Sequence, residues 1–307
     1  MLAGMDRRSS RPFLGSEAIR AGQLSERELA TKYRAVYRNV YLANEVALTP
    51  ELRARAAWLF AGPDAVLSGI SAAAVYGTKW LNVDDPAEVV RTNRHAPEGL
   101  RVHSYALAPE HVRDFDGMRV TTVARTVFDL GRLLPTPKAI PILDALMNKT
   151  KLDPDKVWSL VDANPGIRGI DRLRISLAQS DGAAESPLET RTRLVLRNIG
   201  IPGLETQIPF YDQWGLVCTR VPMGWRRWKV AVECDEEHDS ARHRTWVHEH
   251  TAELEARGWG VVWVTRSMVS GSNNLLQRVR QKIWAAQDRA VMARRTMPGT
   301  SPPEVLR

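Results

Sequence analysis

The stretch Lys229 to Asp239 reads KVAVECDEEHD, an apolar run that ends in a cluster of acids and one histidine. Side chains on a strand alternate faces, so Glu233 and Asp235 point the same way with Ala231 behind them, and Val230, Val232 and Cys234 face the other side. A strand apolar on both faces is central in its sheet. Two carboxylates at the end of such a strand suit a Mg2+ or Mn2+ site, because hard divalent ions take oxygen ligands. Glu185 and Glu189, at the start of a helix, can add a third oxygen donor. A further carboxylate would ordinarily come from the neighbouring strand, VCTRVPMGW. The available position there is Pro222, which ligates nothing and also removes a ladder donor. His238, His243, His248 and His250 place four of the seven histidines within thirteen residues. His238 joins Glu233, Asp235 and Glu189 as a candidate catalytic residue, and His243 can orient a water near the acidic turn. His248 and His250, two apart, fall on different sides of a helix and cannot both face one ion. No pair has the two-Cys, two-His spacing of a zinc site. The competing reading is a solvated polar end of a strand.

The elements around this cluster are legible in outline. In AESPLETRTRLVLRNIGIP, Ser186 is an N-cap, Pro187 takes the first helical position and Glu189 completes a capping box. Leu194, Val195 and Leu196 form its buried side, and Gly200 ends the helix. Three strands follow, ETQIPFYD, GLVCTRVPM and KVAVECD. WVHEHTAELEARGW is a helix, GVVWVT a buried strand, and NNLLQRVRQKIWAAQDRAVMARR a closing amphipathic helix. The order is α-β-β-β-α-β-α.

Upstream, GSEAIRAG is a short helix closed by Gly22, and Ser25 caps a second helix through Ser-Glu-Arg-Glu, a capping box. Leu29 faces inward, and RNVYL then reads as a strand. Helix, turn, helix, strand with Arg27, Lys32, Arg34 and Arg38 exposed is the order of a winged helix-turn-helix; a small helical unit with a solvated basic face fits equally. Residues 50 to 61 form a helix, and Ser68 or Ser71 caps a small-residue helix ending near Gly77. AEVVRT, RVHSYAL and MRVTTV read as strands, and VARTVFDLGRLL and PKAIPILDALMNK as amphipathic helices. This stretch has no metal-ligand spacing and no Gly-rich phosphate loop. The expected organisation is a disordered leader over 1–13, in which Met5 is an alternative start, and a winged-helix-like DNA-binding region over 14–44. An α/β module with a helical connector follows over 45–179, then a linker over 180–186. The second domain runs over 187–296 and a disordered tail over 297–307.

With 307 residues, 44% of them hydrophobic, the chain has room for two or three domains. The net charge of +8 favours acidic partners, of which nucleic acid is the commonest soluble one. Two cysteines exclude a disulfide scaffold and fit a reducing cytoplasm. No run approaches the ~18 apolar residues that span a bilayer, and the basic N-terminus lacks the apolar core of a secretion signal.

Two resemblances rest on these pieces. From Glu185 to about Gln287 the chain resembles actinobacterial proteins with a Vsr-like, restriction-endonuclease-fold domain of unknown function. AESPLETRTRLVLRNIGIP, MGWRRWKVAVECD and AELEARGWGVVWVT carry the resemblance. It implies a PD-(D/E)xK nuclease core, with Glu233 and Asp235 at the strand end and Glu185 and Glu189 as first-helix acids. Relatives usually read Val-Asp-Met-Gly-Trp where this chain has Val221-Pro222-Met223-Gly224-Trp225, so the central metal-binding Asp is missing. Cys234 and Glu236 stand where relatives have Tyr and Gly, and His238 or Asp239 stands where a His is usual. Over much of 15–132 the chain resembles the AbiEi-type antitoxin domain, on SEAIRAGQLSERELATKYRAVYRNVYL, LSGISAAAVYGTKW and VTTVARTVFDLG. That family implies a winged helix that binds operator DNA, joined to a second α/β domain.

The expected fold class is therefore α/β and α+β: an N-terminal winged helix-turn-helix, a middle α/β module and a C-terminal restriction-endonuclease-like α-β-β-β-α-β core. The expected function is that of a cytoplasmic, double-stranded-DNA-binding, antitoxin-like regulator carrying a degenerate endonuclease-fold domain, with a cognate toxin as a second partner. The alternatives are an active Mg2+-dependent endonuclease and a toxin-neutralising protein-binding module. Arg226 and Arg227, interleaved with Trp225 and Trp228, form a second basic-aromatic stretch. Cation–π packing within the protein explains it as readily as DNA contact.

Overall fold

The computed structural model describes residues 10–236 and 240–295, so the tail expected over 297–307 and most of the leader expected over 1–13 lie outside the described residues. The chain is mixed α/β, with twelve α-helices and three sheets among the described residues. It divides into two compact units, Met1–Gly182 and Ala183–Arg307, and the division falls inside 180–186.

The first unit opens with β1 (Phe13–Leu14), α1 (Gly15–Arg20), α2 (Glu26–Lys32), β2 (Tyr33–Tyr37) and β3 (Val40–Ala43). Phe13 pairs with Tyr41, so the chain is already in a sheet there, inside the expected leader. The capping box at α2 is formed: Ser25 Oγ accepts from the Glu28 N–H at 3.2 Å, and Glu28 Oε2 accepts from the Ser25 N–H at 3.1 Å. Leu29 is buried as expected. Sequence reading placed one strand at Arg38–Leu42; there are two, joined by a turn in which Asn39 adopts φ 66°. Asn39 suits that turn because a short polar side chain tolerates the left-handed region. Its amide also ties the turn to α1, accepting from the Ser16 N–H and donating to Ser16 Oγ, both at 2.8 Å.

The unit continues through α3 (Pro50–Ala61), β4 (Val66–Leu67), α4 (Gly69–Val75), β5 (Ala87–Val90), β6 (Leu100–His103), β7 (Val112–Phe115) and β8 (Met118–Thr121). It closes with α5 (Val123–Leu133), α6 (Thr136–Thr150), α7 (Asp155–Ala163) and α8 (Ile170–Gln179). The five strands order as β6-β5-β4-β8-β7, with β5 parallel to β6 and β4 parallel to β8. Leu67, Val89 and Val120 from the sheet meet Phe128, Leu143 and Leu173 from the helices in one core. β7 was not read from the sequence. It is a short edge strand, and its VRDF carries no apolar alternation strong enough to announce it.

The second unit runs α9 (Pro187–Arg197), β9 (Glu205–Tyr211), β10 (Val217–Trp225), β11 (Val230–Cys234), α10 (Ala241–Ala256), β12 (Gly260–Val264), α11 (Arg266–Ser270) and α12 (Ser272–Arg295). Its sheet order is β12-β11-β10-β9, antiparallel except for the parallel β11–β12 pair. The parallel pair follows from α10, which returns the chain to the same end of the sheet. Val230 and Val232 pack with Leu196, Leu275, Val279 and Ile283 on one face. Ala231 packs with Leu254 and Val261 on the other. The alternation read from the sequence is therefore realised, with β11 central. Gly224 permits the close approach of β10, since a Cβ there would lie 2.3 Å from the Val230 carbonyl oxygen.

Candidate functional site

The strand-end acids are met by a helix face. Glu233, buried on the Ala231 side of β11, places Oε1 3.0 Å from His250 Nε2. Asp235, just past the strand, places Oδ1 2.9 Å from His243 Nε2, and this pair is about one-fifth exposed. His243, Trp246 and His250 lie three and four residues apart, so they share one face of α10. The Trp246 ring stacks on both histidines, 5.7 Å from His243 and 5.0 Å from His250. Trp263 of β12 stands edge-on to Trp246 and donates its indole N–H to Thr251 at 2.8 Å. His250 was named in the histidine cluster but not as a partner of Glu233, and Trp246 and Trp263 were not singled out from the sequence. The signal was available in the seven-residue interval between His243 and His250, two helical turns, and was obscured by attention to the His248/His250 pair.

The first-helix acids arrive differently from expectation. Ser186 caps α9, its Oγ accepting from the Glu189 N–H at 3.2 Å. The reciprocal half of the box is displaced by one residue: Glu189 Oε2 accepts from the N–H of Glu185 at 3.0 Å. Glu185 itself is exposed. Gln207 of β9 lies 3.5 Å from the same Glu189 oxygen. The Glu189 carboxyl is pushed up to about 7, chiefly by burial, with the negative charges of Glu185, Glu233 and Glu236 assisting and the Glu185 N–H opposing. Glu185, Glu189, Glu233 and Glu236 thus gather at this end of the sheet, beside Asp235. Glu236 is partnered by Arg266 at 3.2 Å. Burial also pushes the Cys234 thiol well above its ordinary value, which disfavours its thiolate, and its Sγ sits 3.7 Å from Thr192 Oγ1.

Extending the β10–β11 register by one step beyond Met223↔Val232 sets Pro222 opposite Glu233. The neighbouring-strand position thus offers no carboxylate. His238 and Asp239 lie outside the described residues. Among the described residues, no three or more His, Cys, Asp and Glu side chains are grouped as a metal site requires. As arranged, one oxygen of each strand-end carboxylate is bonded to a histidine, and proline stands opposite Glu233.

The basic candidates are dispersed. Arg27 and Arg38 are exposed, and Lys32 is exposed but paired with Glu28 at 2.9 Å. Arg34 is half-buried and donates to three backbone carbonyls, those of Ala43, Asn44 and Val46. Its guanidinium fastens the end of β3. Arg226 pairs with Glu205 at 2.6 Å, and the Arg227 guanidinium lies 4.6 Å over the Trp228 ring, so this stretch packs on its own protein surface.

The chain is 30% identical over 267 residues to the uncharacterized protein Rv2248 of Mycobacterium tuberculosis, a match that covers 84% of this chain and 93% of the relative. The chain belongs to the Rv2248 family. The uncharacterized protein MT2308 from another strain of that species matches over the same lengths at the same identity. The aligned length exceeds either unit alone, so this family shares residues from both. No family model matches the chain, and no solved structure matches it.

Proposed function

We propose that this protein is a DNA-binding, antitoxin-like regulator whose second unit is a degenerate endonuclease-fold domain of the Vsr-like kind. The observation that carries the reading is the pairing of each strand-end carboxylate with a histidine, Glu233 with His250 and Asp235 with His243, opposite Pro222. A metal-dependent nuclease keeps its carboxylate oxygens turned toward the ion, which lowers the pKa of a bound water and neutralises charge on the scissile phosphate. Here one oxygen of each carboxylate is engaged by an imidazole. The α1–α2–β2–β3 succession with exposed Arg27, Lys32 and Arg38 supports a winged-helix role in the first unit, and the net charge of +8 supports double-stranded DNA as the partner. A cognate toxin is the second partner this reading implies. No described helix is long and apolar enough to cross a membrane.

A second reading, an active endonuclease, is favoured by the Asp235–His243 pair, which is partly open to water at the strand end. Nicking of supercoiled plasmid with Mg2+ or Mn2+ separates the two. Wild-type protein and the Glu233→Ala/Asp235→Ala double variant are both expected to bind duplex DNA and leave it uncut. Cutting by the wild type that the double variant loses would establish the second reading.

A further inference from the structure

A second candidate site lies in the first unit. A cleft of about 490 Å3 opens at the end of the five-stranded sheet where the parallel strands β5 and β6 finish. Carboxyl ends of parallel strands are where α/β sheets commonly take ligands. The lining holds three arginines, Arg91, Arg94 and Arg119, against a single acid, Asp64. None of the three guanidiniums meets a carboxylate among the described residues. Arg119 donates to the backbone carbonyl of Asp64 at 3.1 Å, and Arg91 to those of Ala61 and His95. The Nε of Arg91 is buried without a hydrogen-bond partner.

Tyr105 connects the cleft to a buried charged cluster. It lines the cleft and donates its hydroxyl to the buried Asp129 at 3.0 Å. Asp129 also accepts from Arg125 and from Arg132, each at 2.8 Å. Two buried guanidiniums therefore share one carboxylate, and both lie within 5.3 Å of the Tyr105 ring centre. Burial lowers the pKa of Arg91 from its ordinary value. The volume falls in the range of small-molecule sites, roughly 300–1,000 Å3. Val66, Val90 and Val112 offer an apolar wall for the rest of a ligand.

We propose that this cleft binds a phosphate-bearing ligand, with Arg91, Arg94 and Arg119 on the phosphate and the valine wall against the ligand's body. Guanidinium suits this role because its fork matches the phosphate oxygens two at a time. The phosphate can belong to a free nucleotide or to a DNA strand, and the chemistry recognised is the same. The inference does not rest on the state of the endonuclease-like site.

The test uses the full chain and three probes: inorganic phosphate, AMP and a DNA duplex of random sequence. Wild type is compared with Arg94→Ala, which leaves the Arg119 contact to Asp64 in place, and with Arg94→Ala/Arg119→Ala. Phosphate or AMP is expected to raise the thermal midpoint of the wild type above that in chloride at matched ionic strength. In calorimetric titration the double variant should bind AMP about tenfold more weakly, the loss expected from removing charge-assisted hydrogen bonds. If AMP has no effect but the variants bind duplex less tightly, with a salt slope lower by about one per arginine, the phosphate is that of DNA. If wild type and both variants behave alike with all three probes, the proposal is overturned.

Discussion

His250 and Glu233 form an acid–histidine pair between α10 and β11, 3.0 Å from Nε2 to Oε1, with each side chain less than a tenth exposed. The hydrogen bond to Glu233 raises the pKa of His250; burial opposes this, and the charges of Glu233 and Glu253 assist it. A histidine whose folded pKa lies above its unfolded value stabilises the fold fully below the unfolded pKa. That contribution is lost as pH rises through the folded pKa. The thermal midpoint of the wild type should therefore fall, relative to His250→Gln, as pH is raised above about 6.5. Parallel midpoint curves for the two proteins across this range would mean that the pair carries no proton-linked stability.

Glu189 works in the same direction from the opposite charge type. Its carboxyl stands at about 7, above the ordinary 4.5, chiefly because burial disfavours the charged form. Between those two values the folded chain holds a proton that the unfolded chain has released, so stability falls as pH rises through that window. Glu189→Gln keeps an oxygen to accept the Glu185 N–H and cannot ionise. It is expected to unfold at higher urea than wild type at pH 8, by on the order of 1 kcal/mol, and to show little difference at pH 4. Equal urea midpoints at pH 8 would contradict the burial of a charged carboxylate at this position.

What was legible in the sequence is what short-range chemistry decides. Ser25 and Glu28 are three residues apart, and their mutual capping needs nothing from the rest of the chain. The alternation in KVAVEC sorts Ala231 and Glu233 from Val230 and Val232 once the segment is extended, and the two cores separate along that line. What was missed depends on distant partners. Tyr33–Tyr37 is a strand because Val40–Ala43 folds back on it through Asn39, and Val112–Phe115 because β8 lies beside it. Glu189 was expected to reach Ser186 and reaches Glu185 instead, a choice made by the chain's entry into α9. Glu233 was read as a metal ligand at the end of its strand. Only the packing of α10 across β11 brings His250 to it, and the spacing of the histidines gives the face but not the partner.

The last prediction separates two roles among the basic residues of the first unit. Arg34 was grouped with Arg27, Lys32 and Arg38 as a DNA contact, since all four are cations in one short segment. Its side chain is half-buried and spends its donors on the carbonyls of Ala43, Asn44 and Val46, where it closes the end of the β2–β3 hairpin. Removing it leaves backbone acceptors unpaired, so Arg34→Ala should destabilise the chain by about 1–3 kcal/mol in urea unfolding. Arg27 and Arg38 are exposed, and their substitution should leave stability within about 0.5 kcal/mol of wild type. If they touch phosphates, Arg27→Ala and Arg38→Ala each weaken duplex binding across all sequences and lower the salt slope by about one. The assignment of DNA contact to this face is lost if the double variant Arg27→Ala/Arg38→Ala binds duplex DNA as wild type does over a salt titration. The structural role of Arg34 is lost if Arg34→Ala unfolds at the wild-type urea midpoint.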